Sequence, residues 1–196
     1  MMTLDEIRDA LGTRQHKPAK FKATSRQASV AMILCGAGVD LEVCFIRRAE
    51  RVGDPWSGQV AFPGGKADNG DWDAHAVAER ETHEEVGLKL NASHRIGPLP
   101  TRQVSTRNMV LSPFMYHIEA HEKESVFARE PDEVAHVFWV PMRHLFRQSS
   151  ATELEYPTIG SGMTYPGIRY KEDVIWGLTL SVLESFAQIM RRELPV

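Results

Sequence analysis

The sequence predicts an α/β fold of the α+β type, in which a mixed β-sheet is flanked by helices. Short runs rich in apolar and β-branched residues recur along the chain and are typical of strands. Three or four other segments have the periodicity of helices. Because the two kinds of element do not alternate regularly, we expect a sheet of mixed direction with helices packed against it.

Length and composition agree with one domain, with or without terminal additions. The chain has 196 residues, of which 42% are hydrophobic and 25% are charged, so it can bury a core. The formal charge of -3 argues against a general nucleic-acid-binding protein, because such proteins usually carry net positive charge. The apolar run at 28–35 is too short to span a membrane and begins too far from Met1 for a signal peptide. We therefore expect no nucleic-acid or membrane partner, and a homodimer is left open.

The N-terminal region is predicted to lie outside the main domain. Thr3 and Glu6 have the spacing of a capping box, and an apolar stripe that stops at Gly12 indicates a short helix. Residues 13–25 are polar and basic, which is typical of a linker or arm. We therefore divide the chain into an N-terminal helix and basic arm, residues 1–26, and a main domain, residues 27–196.

The main domain is expected to begin with two strands, residues 30–34 and 41–46, joined by a glycine-rich turn. The only two cysteines, Cys35 and Cys44, lie in these apolar runs. We interpret them as buried thiols in a reducing compartment, and we expect a cytoplasmic protein. A disulfide across the hairpin is the alternative.

The remaining elements follow from turn residues and periodicity. A short strand at 59–62 is expected to end at Pro63-Gly64-Gly65, and Asp73 and Gly87 have the residue types that cap a helix between them. The other predicted elements are strands at 94–99, 109–119 and 134–140, a short helix at 141–146 and a long final helix at 174–191.

The helix before Gly87 carries an unusual concentration of acid. Glu81, Glu84 and Glu85 are spaced i, i+3 and i+4, so their carboxylates share one helix face. Like charges at this spacing cost roughly 0.2–0.5 kcal/mol per pair, and the helix dipole disfavours anions near the C-terminal end. A lysine at position 85 would therefore suit the stability of an exposed helix end. A solvated acidic face is one interpretation; a site for Mg²⁺ or Mn²⁺, which prefer oxygen ligands, is the other.

These residues resemble the Nudix box, the signature of a family of hydrolases. The matching positions are Gly65, Asp71, Arg80, Glu81, Glu84, Glu85, Gly87 and Leu88. Three details depart from the usual pattern: Asp71 replaces a glutamate, one extra residue precedes Arg80, and Thr82 stands at a normally aliphatic position. The first two departures recur in the branch of the family that hydrolyses coenzyme A. Thr82 is expected to affect packing rather than metal binding.

The resemblance implies a Nudix-type α/β/α sandwich and a metal-dependent hydrolysis of a pyrophosphate bond in a nucleoside diphosphate derivative. The cofactor it implies is Mg²⁺ or Mn²⁺, held by Glu81, Glu84, Glu85 and the carbonyl oxygen of Gly65. Arg80 is expected to hold Glu84, four residues along the helix. The general base is left open between a glutamate of the box and Glu130 or Glu133. An acidic surface turn is the alternative interpretation of that last pair.

Four basic residues flank the glycine-rich turn and are candidates for binding the phosphates of a small nucleotide substrate. They are Arg47, Arg48, Arg51 and Lys66. For each of them a solvated surface role is the alternative. Trp56 is a candidate for stacking on a base, or else a packing anchor.

The substrate predicted from the resemblance is coenzyme A or an acyl-coenzyme A. Downstream segments such as Val110-Leu111-Ser112-Pro113-Phe114 and Ile175-Trp176-Gly177-Leu178-Thr179 are similar to the coenzyme A branch, whereas the loop at 48–58 departs from it. The alternatives are hydrolysis of ADP-ribose, a nucleotide sugar or an oxidised nucleoside triphosphate. A non-catalytic nucleotide-binding module of the same fold is disfavoured, because all three box glutamates are present.

Overall fold

A computed structural model describes residues 2–12, 21–54, 56–104, 108–155 and 163–196 of the chain. Most of the predicted basic arm lies outside these residues. The helices are α1 (Leu4–Gly12), α2 (Ala74–Val86), α3 (Ala120–Lys123), α4 (Met142–Leu145) and α5 (Gly177–Ile189). The strands are β1 (Gln27–Cys35), β2 (Glu42–Arg48), β3 (Val60–Ala61), β4 (Gly64–Lys66), β5 (Arg95–Pro98), β6 (Arg102–Val104), β7 (Met109–Ile118), β8 (Val134–Pro141), β9 (Ala151–Glu155), β10 (Thr164–Tyr170) and β11 (Asp173–Trp176).

The main sheet is mixed, as the sequence predicted. Its eight strands follow the order β3-β2-β1-β7-β5, with β4 paired to β1, β6 paired to β7 and β8 paired to β2. The central pair, β1 and β7, is parallel over nine residue pairs, whereas β2 and β4 both run antiparallel to β1. Strands β9, β10 and β11 form a separate antiparallel sheet.

Helices cover both faces of the main sheet. Along β1, Met32 and Leu34 pack into one core layer with apolar residues of α1 and α5. Ala31 and Ile33, which point the other way, pack into a second layer with α2. Successive strand residues face opposite sides of a sheet, so one apolar strand supplies both layers. The result is the expected α/β/α sandwich.

Several predicted element boundaries were wrong. The strand predicted at 59–62 ends before Pro63, as predicted, but Gly64 and Gly65 then form a further strand, β4, with Lys66, and β4 pairs with residues 28–30 of β1. Residues 174–176 were assigned to the final helix, but they form strand β11 opposite β10, and α5 begins at Gly177. Short β6, β9 and β10 and helix α3 were not predicted, because their polar residues show no clear apolar period.

The two cysteines are buried free thiols, so the disulfide alternative is wrong. Cys35 of β1 lies opposite Glu42, and Cys44 of β2 lies opposite Trp139, so the two thiols are not cross-strand partners. Within the described residues, no helix is both long and apolar enough to cross a membrane.

Helix α2 begins and ends where the sequence predicted. The Asp73 side chain accepts a hydrogen bond from the N–H of Ala76 at 2.7 Å. Gly87 has a φ of +76° and its N–H donates to the His83 carbonyl at 3.1 Å, which is a glycine C-cap. Thr82 is fully buried under the sheet, and its hydroxyl has no hydrogen-bond partner. Thr82 therefore places a hydroxyl group without a hydrogen-bond partner in the packed interior.

We expect Thr82→Val to stabilise the protein. The substitution replaces an unsatisfied buried hydroxyl by a methyl group of similar size, which should raise the free energy of unfolding by about 1 kcal/mol. Thr179→Val is the matched control, because the Thr179 hydroxyl donates to the Val60 carbonyl at 2.9 Å. Chemical denaturation should show opposite signs for the two variants. A loss of stability in Thr82→Val would contradict the interpretation.

Candidate active site

The site is built on a close approach between α2 and the glycine strand β4. A Cβ atom on Gly64, whose φ is +144°, would lie 2.2 Å from the carbonyl oxygen of Ser29. A Cβ atom on Gly65 would lie 2.4 Å from the Glu81 carboxyl group. Real Cβ contacts are not this short, so a side chain at Gly64 would clash with backbone, and a side chain at Gly65 would displace the Glu81 carboxyl group.

Glu85 is the most deeply buried of the three box glutamates, with 3% of its surface exposed. Its Oε2 accepts a hydrogen bond from the N–H of Gly64 at 2.8 Å. Burial raises the pKa of Glu85 to about 8, against the opposing effect of the Gly64 hydrogen bond. The carboxyl group therefore points into the structure rather than into solvent.

The end of α2 is also covered by a following segment. The N–H of Phe127 donates to the Val86 carbonyl at 3.2 Å, and the N–H of Arg129 donates to the Glu85 carbonyl at 2.9 Å. The expectation that a lysine at position 85 would suit stability is therefore wrong. It assumed an exposed helix end, whereas a lysine here would bury an ammonium group and lose the Gly64 hydrogen bond.

Arg80 connects four groups around the site. Its guanidinium donates to both carboxylate oxygens of Asp71 at 3.1 and 2.9 Å, and to the Lys66 carbonyl at 3.0 Å. It also donates to Glu81 at 3.0 Å and to Glu84 at 2.8 Å, the second of which is the expected i, i+4 contact. The hydrogen bond to Asp71 raises the pKa of Arg80. Burial alone would raise the pKa of Asp71, but the hydrogen bonds from Arg80 and from the Asp68 N–H outweigh it and lower that pKa.

The three box carboxylates thus have different surroundings. The side chain of Glu81 is 17% exposed and that of Glu84 is 44% exposed. Burial raises the pKa of Glu81, although Arg80 opposes this shift. Two of the three carboxylates are therefore held in places where their charged forms are poorly solvated.

A cleft of about 490 Å³ opens beside these residues. Acidic side chains line it at Asp54, Glu81, Glu85 and Glu133, and basic side chains line it at Arg48, Arg51 and Lys66. Its other lining residues are Ala28, Val30, Gly53, Trp56, Gln59, Val60, Ala61, Phe62, Gly64, Gly65, Met109, Leu178 and Thr179. Its volume suits a small-molecule ligand.

Two arginines that line the cleft are held by ion pairs. Arg48 binds Asp54 at 2.8 Å, while its Nε atom is buried without a hydrogen-bond partner. Arg51 donates to the Asp132 carbonyl at 2.6 Å and pairs with Glu133 at 3.2 Å. The loop after β2 is therefore tied to the turn before β8.

Comparison with known proteins assigns the family. The NUDIX domain profile matches residues 25–158. The chain belongs to the Nudix family. It is 30% identical to the uncharacterized Nudix hydrolase NudL of Yersinia enterocolitica over 187 residues, which is 95% of this chain and 92% of that one. NudL of Yersinia pestis is 32% identical over 169 residues, covering 86% of this chain and 81% of that one. A solved MutT/nudix family protein from Enterococcus faecalis matches with a TM-score of 0.55 at 14% identity, covering 100% of this chain and 78% of that one.

Membership makes the chain a Nudix pyrophosphohydrolase, and enzymes of this family generally use divalent metal ions. Among the described residues, no three His, Cys, Asp or Glu side chains are grouped so that they could hold a metal ion as they stand. Arg80 contacts Glu81 and Glu84, and the Gly64 N–H contacts Glu85. The chemistry of the donors nevertheless fits a hard cation, because they are carboxylate oxygens and two of them are poorly solvated.

The structure brings together most of the residues that the sequence singled out. Arg47 is separate: it lies 3.6 Å from Asp173 and is absent from the described lining of the cleft. Glu133 lines the cleft, whereas the contacts of Glu130 are made by its backbone carbonyl, which accepts from Glu133 and Val134. Trp56 both lines the cleft and packs against the α5-side core.

Sequence reasoning missed several lining residues. Met109 and Gln59 carried no signal, because each is an ordinary residue of a strand or loop. Leu178 and Thr179 lay in a segment that resembles the family, but they were read as parts of a helix rather than of a site. Only the packing of α5 and β7 beside β1 shows that they reach the cleft.

We expect Gly65→Ala to reduce activity by about tenfold or more while the protein stays folded. The new methyl group would displace the Glu81 carboxyl group, the flexible end of a side chain, rather than backbone. Gly70→Ala is the control, because nothing lies within 4 Å of a Cβ atom there. The comparison needs kcat/KM and a thermal melt for both variants. Equal activity of the two would show that the position of Glu81 does not matter.

We expect Asp71→Asn to lower stability at neutral pH by about 1–3 kcal/mol, because it removes a charged hydrogen-bonded pair. The pKa of Asp71 lies below its ordinary value of 3.8, so the carboxylate stabilises the fold above that value. This contribution is lost as the pH falls through the lowered pKa, and the two proteins should then converge.

Asp40→Asn is the control for Asp71→Asn. Asp40 pairs with Arg143 at 3.3 Å, but both side chains are exposed, so its loss should cost less than about 0.5 kcal/mol. Urea denaturation in excess chelator at pH 7 and pH 3 provides the measurement. A stability difference for Asp71→Asn that stays constant between these pH values would refute the linkage.

Proposed function

We propose that this Nudix hydrolase cleaves the pyrophosphate bond of coenzyme A or an acyl-coenzyme A, with Mg²⁺ or Mn²⁺ as the metal. The products would be an adenosine bisphosphate and a phosphopantetheine or its acylated form. The observation that carries the proposal is the cleft itself, in which acidic residues for a metal stand beside basic residues for phosphates. Most of the other residues that line the cleft are uncharged.

The chain's own carboxylates would hold the metal. Glu81 and Glu85 line the cleft, Glu84 lies on the same helix face, and the Gly65 carbonyl belongs to the strand against which Glu81 packs. A bound Mg²⁺ or Mn²⁺ neutralises phosphate charge and lowers the pKa of bound water. Arg80 is a positioning residue, because its contacts are to Asp71, the box carboxylates and Lys66 rather than to the cleft.

Arg48, Arg51 and Lys66 would bind the phosphate oxygens. Arg48 supports this role because its side chain lines the cleft and is 28% exposed. Arg51 also lines the cleft, where it contacts Glu133. Arg47 is left out, since it pairs with Asp173.

Glu133 is the proposed general base. The three box carboxylates are assigned to the metal, so the base is placed on the remaining glutamate that lines the cleft. Glu133 lines the same cleft, is about half exposed and comes from a different element. Its carboxylate would accept a proton from the water that attacks phosphorus.

The substrate proposal is supported by the resemblance of Asp71 and of the segments at 110–114 and 175–179 to the coenzyme A branch. The loop at 48–58 departs from that branch, which keeps ADP-ribose, nucleotide sugars and oxidised nucleoside triphosphates as alternatives. The buried free thiols fit a cytoplasmic location.

A substrate panel tests the proposal. Coenzyme A, an acyl-coenzyme A, ADP-ribose, a nucleotide sugar and an oxidised nucleoside triphosphate would be assayed with Mg²⁺ or Mn²⁺ by phosphate-sensitive detection. Coenzyme A compounds should give the highest kcat/KM, excess chelator should abolish turnover, and Glu85→Gln should reduce kcat by about a hundredfold or more. Glu184→Gln, an exposed glutamate of α5, is the control.

Three results would overturn parts of this proposal. Full turnover in chelator would exclude the metal, and faster cleavage of ADP-ribose than of any coenzyme A compound would move the enzyme to the alternative class. Binding of a nucleotide without turnover under all conditions would indicate a non-catalytic module.

A further inference from the structure

The cleft is lined by residues from elements on both faces of the main sheet. Its carboxylates at Glu81 and Glu85 come from α2, which covers one face. Five apolar side chains, here called the apolar lobe, also line the cleft: Ala28, Val30, Val60, Met109 and Leu178. All five belong to the core layer on the other face, with α5. Gly64 and Gly65 of β4 also line the cleft, and both residues pair with β1.

The apolar lobe has the wrong chemistry for a sugar or a nucleobase. None of its five side chains carries a hydrogen-bond donor or a strong acceptor. Thr179 lies beside it, but its hydroxyl already donates to the Val60 carbonyl at 2.9 Å. Sugar hydroxyls or base edges buried there would lose hydrogen bonds to water and gain none, which costs free energy. A compact aliphatic group makes no hydrogen bonds to water, so burying it there loses none.

The distance from the phosphate limits which aliphatic group can reach the lobe. The lobe belongs to the same cleft of about 490 Å³ as the carboxylates, so its ligand must lie close to the diphosphate. In coenzyme A, a quaternary carbon with two methyl groups follows the phosphate ester after a single methylene. The thiol and any acyl chain lie many bonds farther away. ADP-ribose carries a hydroxylated ribose at the corresponding place.

We infer that the apolar lobe binds the dimethyl-substituted carbon beside the phosphate ester and so selects a pantetheine group over a sugar. Leu178 is the specificity-determining residue in this assignment. It is half-buried at the start of α5, and its side chain is the part of the lobe that can change with least effect on the core. The inference rests on the proposed function and adds the reason for its substrate preference.

Dephospho-coenzyme A and ADP-ribose are a matched substrate pair for the test. Both contain the same ADP group and differ only beyond the second phosphate. The ratio of their kcat/KM values would be measured for the wild type, Leu178→Ala and Leu178→Met. Leu194→Ala is the control, because Leu194 packs against the same core layer but is not among the cleft-lining residues that the structure describes.

The wild type should prefer dephospho-coenzyme A. Leu178→Ala should lower the preference by about five- to thirtyfold. The change should appear mainly in KM, because the contact with Leu178 is made both in the enzyme–substrate complex and in the transition state. Leu178→Met should retain most of the preference, since it keeps an apolar side chain of similar volume. ADP-ribose turnover should change little in all variants. Thermal melts check that each variant is folded.

Two outcomes would overturn the inference and distinguish its failure from that of the proposed function. If dephospho-coenzyme A is cleaved well and Leu178→Ala changes both substrates equally, the lobe does not select the pantetheine group, while the proposed function stands. If the wild type cleaves ADP-ribose faster than dephospho-coenzyme A and coenzyme A, both the function and the inference fail.

Discussion

The arrangement of the site depends on how closely the second half of α2 approaches the backbone of β4. Gly64 donates its N–H to a buried Glu85 carboxylate, and Gly65 leaves room for the Glu81 carboxyl group where a Cβ atom would lie. Strand β4 is itself fixed by its pairing with β1, so the carboxylates are positioned by the main sheet. A side chain at Gly64 would clash with the backbone of β1, and one at Gly65 would displace the Glu81 carboxyl group.

This approach concentrates negative charge, and the structure contains specific compensation for it. Arg80 binds two of the three box carboxylates and is in turn fixed by Asp71, which is almost fully buried. The carbonyl groups at the end of α2 accept hydrogen bonds from the backbone at Phe127 and Arg129. A helix whose acidic end would be unfavourable in isolation is thereby stabilised by contacts with other segments.

The cleft owes its mixed chemistry to the layered architecture. Because adjacent residues of a strand face opposite sides of the sheet, the region around β1 and β4 borders both core layers. Acidic groups come from the α2 side and apolar groups from the α5 side, while the end of β2 and the loop after it supply Arg48 and Arg51. A single helix face could not supply all three kinds of surface.

The sequence alone determined the features that depend on local chemistry. The caps at Asp73 and Gly87, the shared face of the box glutamates and the contact of Arg80 with Glu84 follow from spacing along one helix. The long apolar strands β1, β2, β7 and β8 were recognisable for the same reason. The short strands were not, because β4 is made of two glycines and a lysine and is a strand only through its pairing with β1.

Only the tertiary structure decided the relations between distant segments. Arg47 and Arg48 are equivalent phosphate-binding candidates in the sequence. In the structure Arg47 pairs with Asp173, whereas its neighbour Arg48 lines the cleft. The tertiary structure placed Glu133 beside the box and buried Glu85, which reversed the expectation about a cation at that position. It also joined Met109 and Leu178 into one apolar surface. The physical reason is that burial and pairing arise from contacts between segments far apart in the chain, which no local pattern of residues encodes.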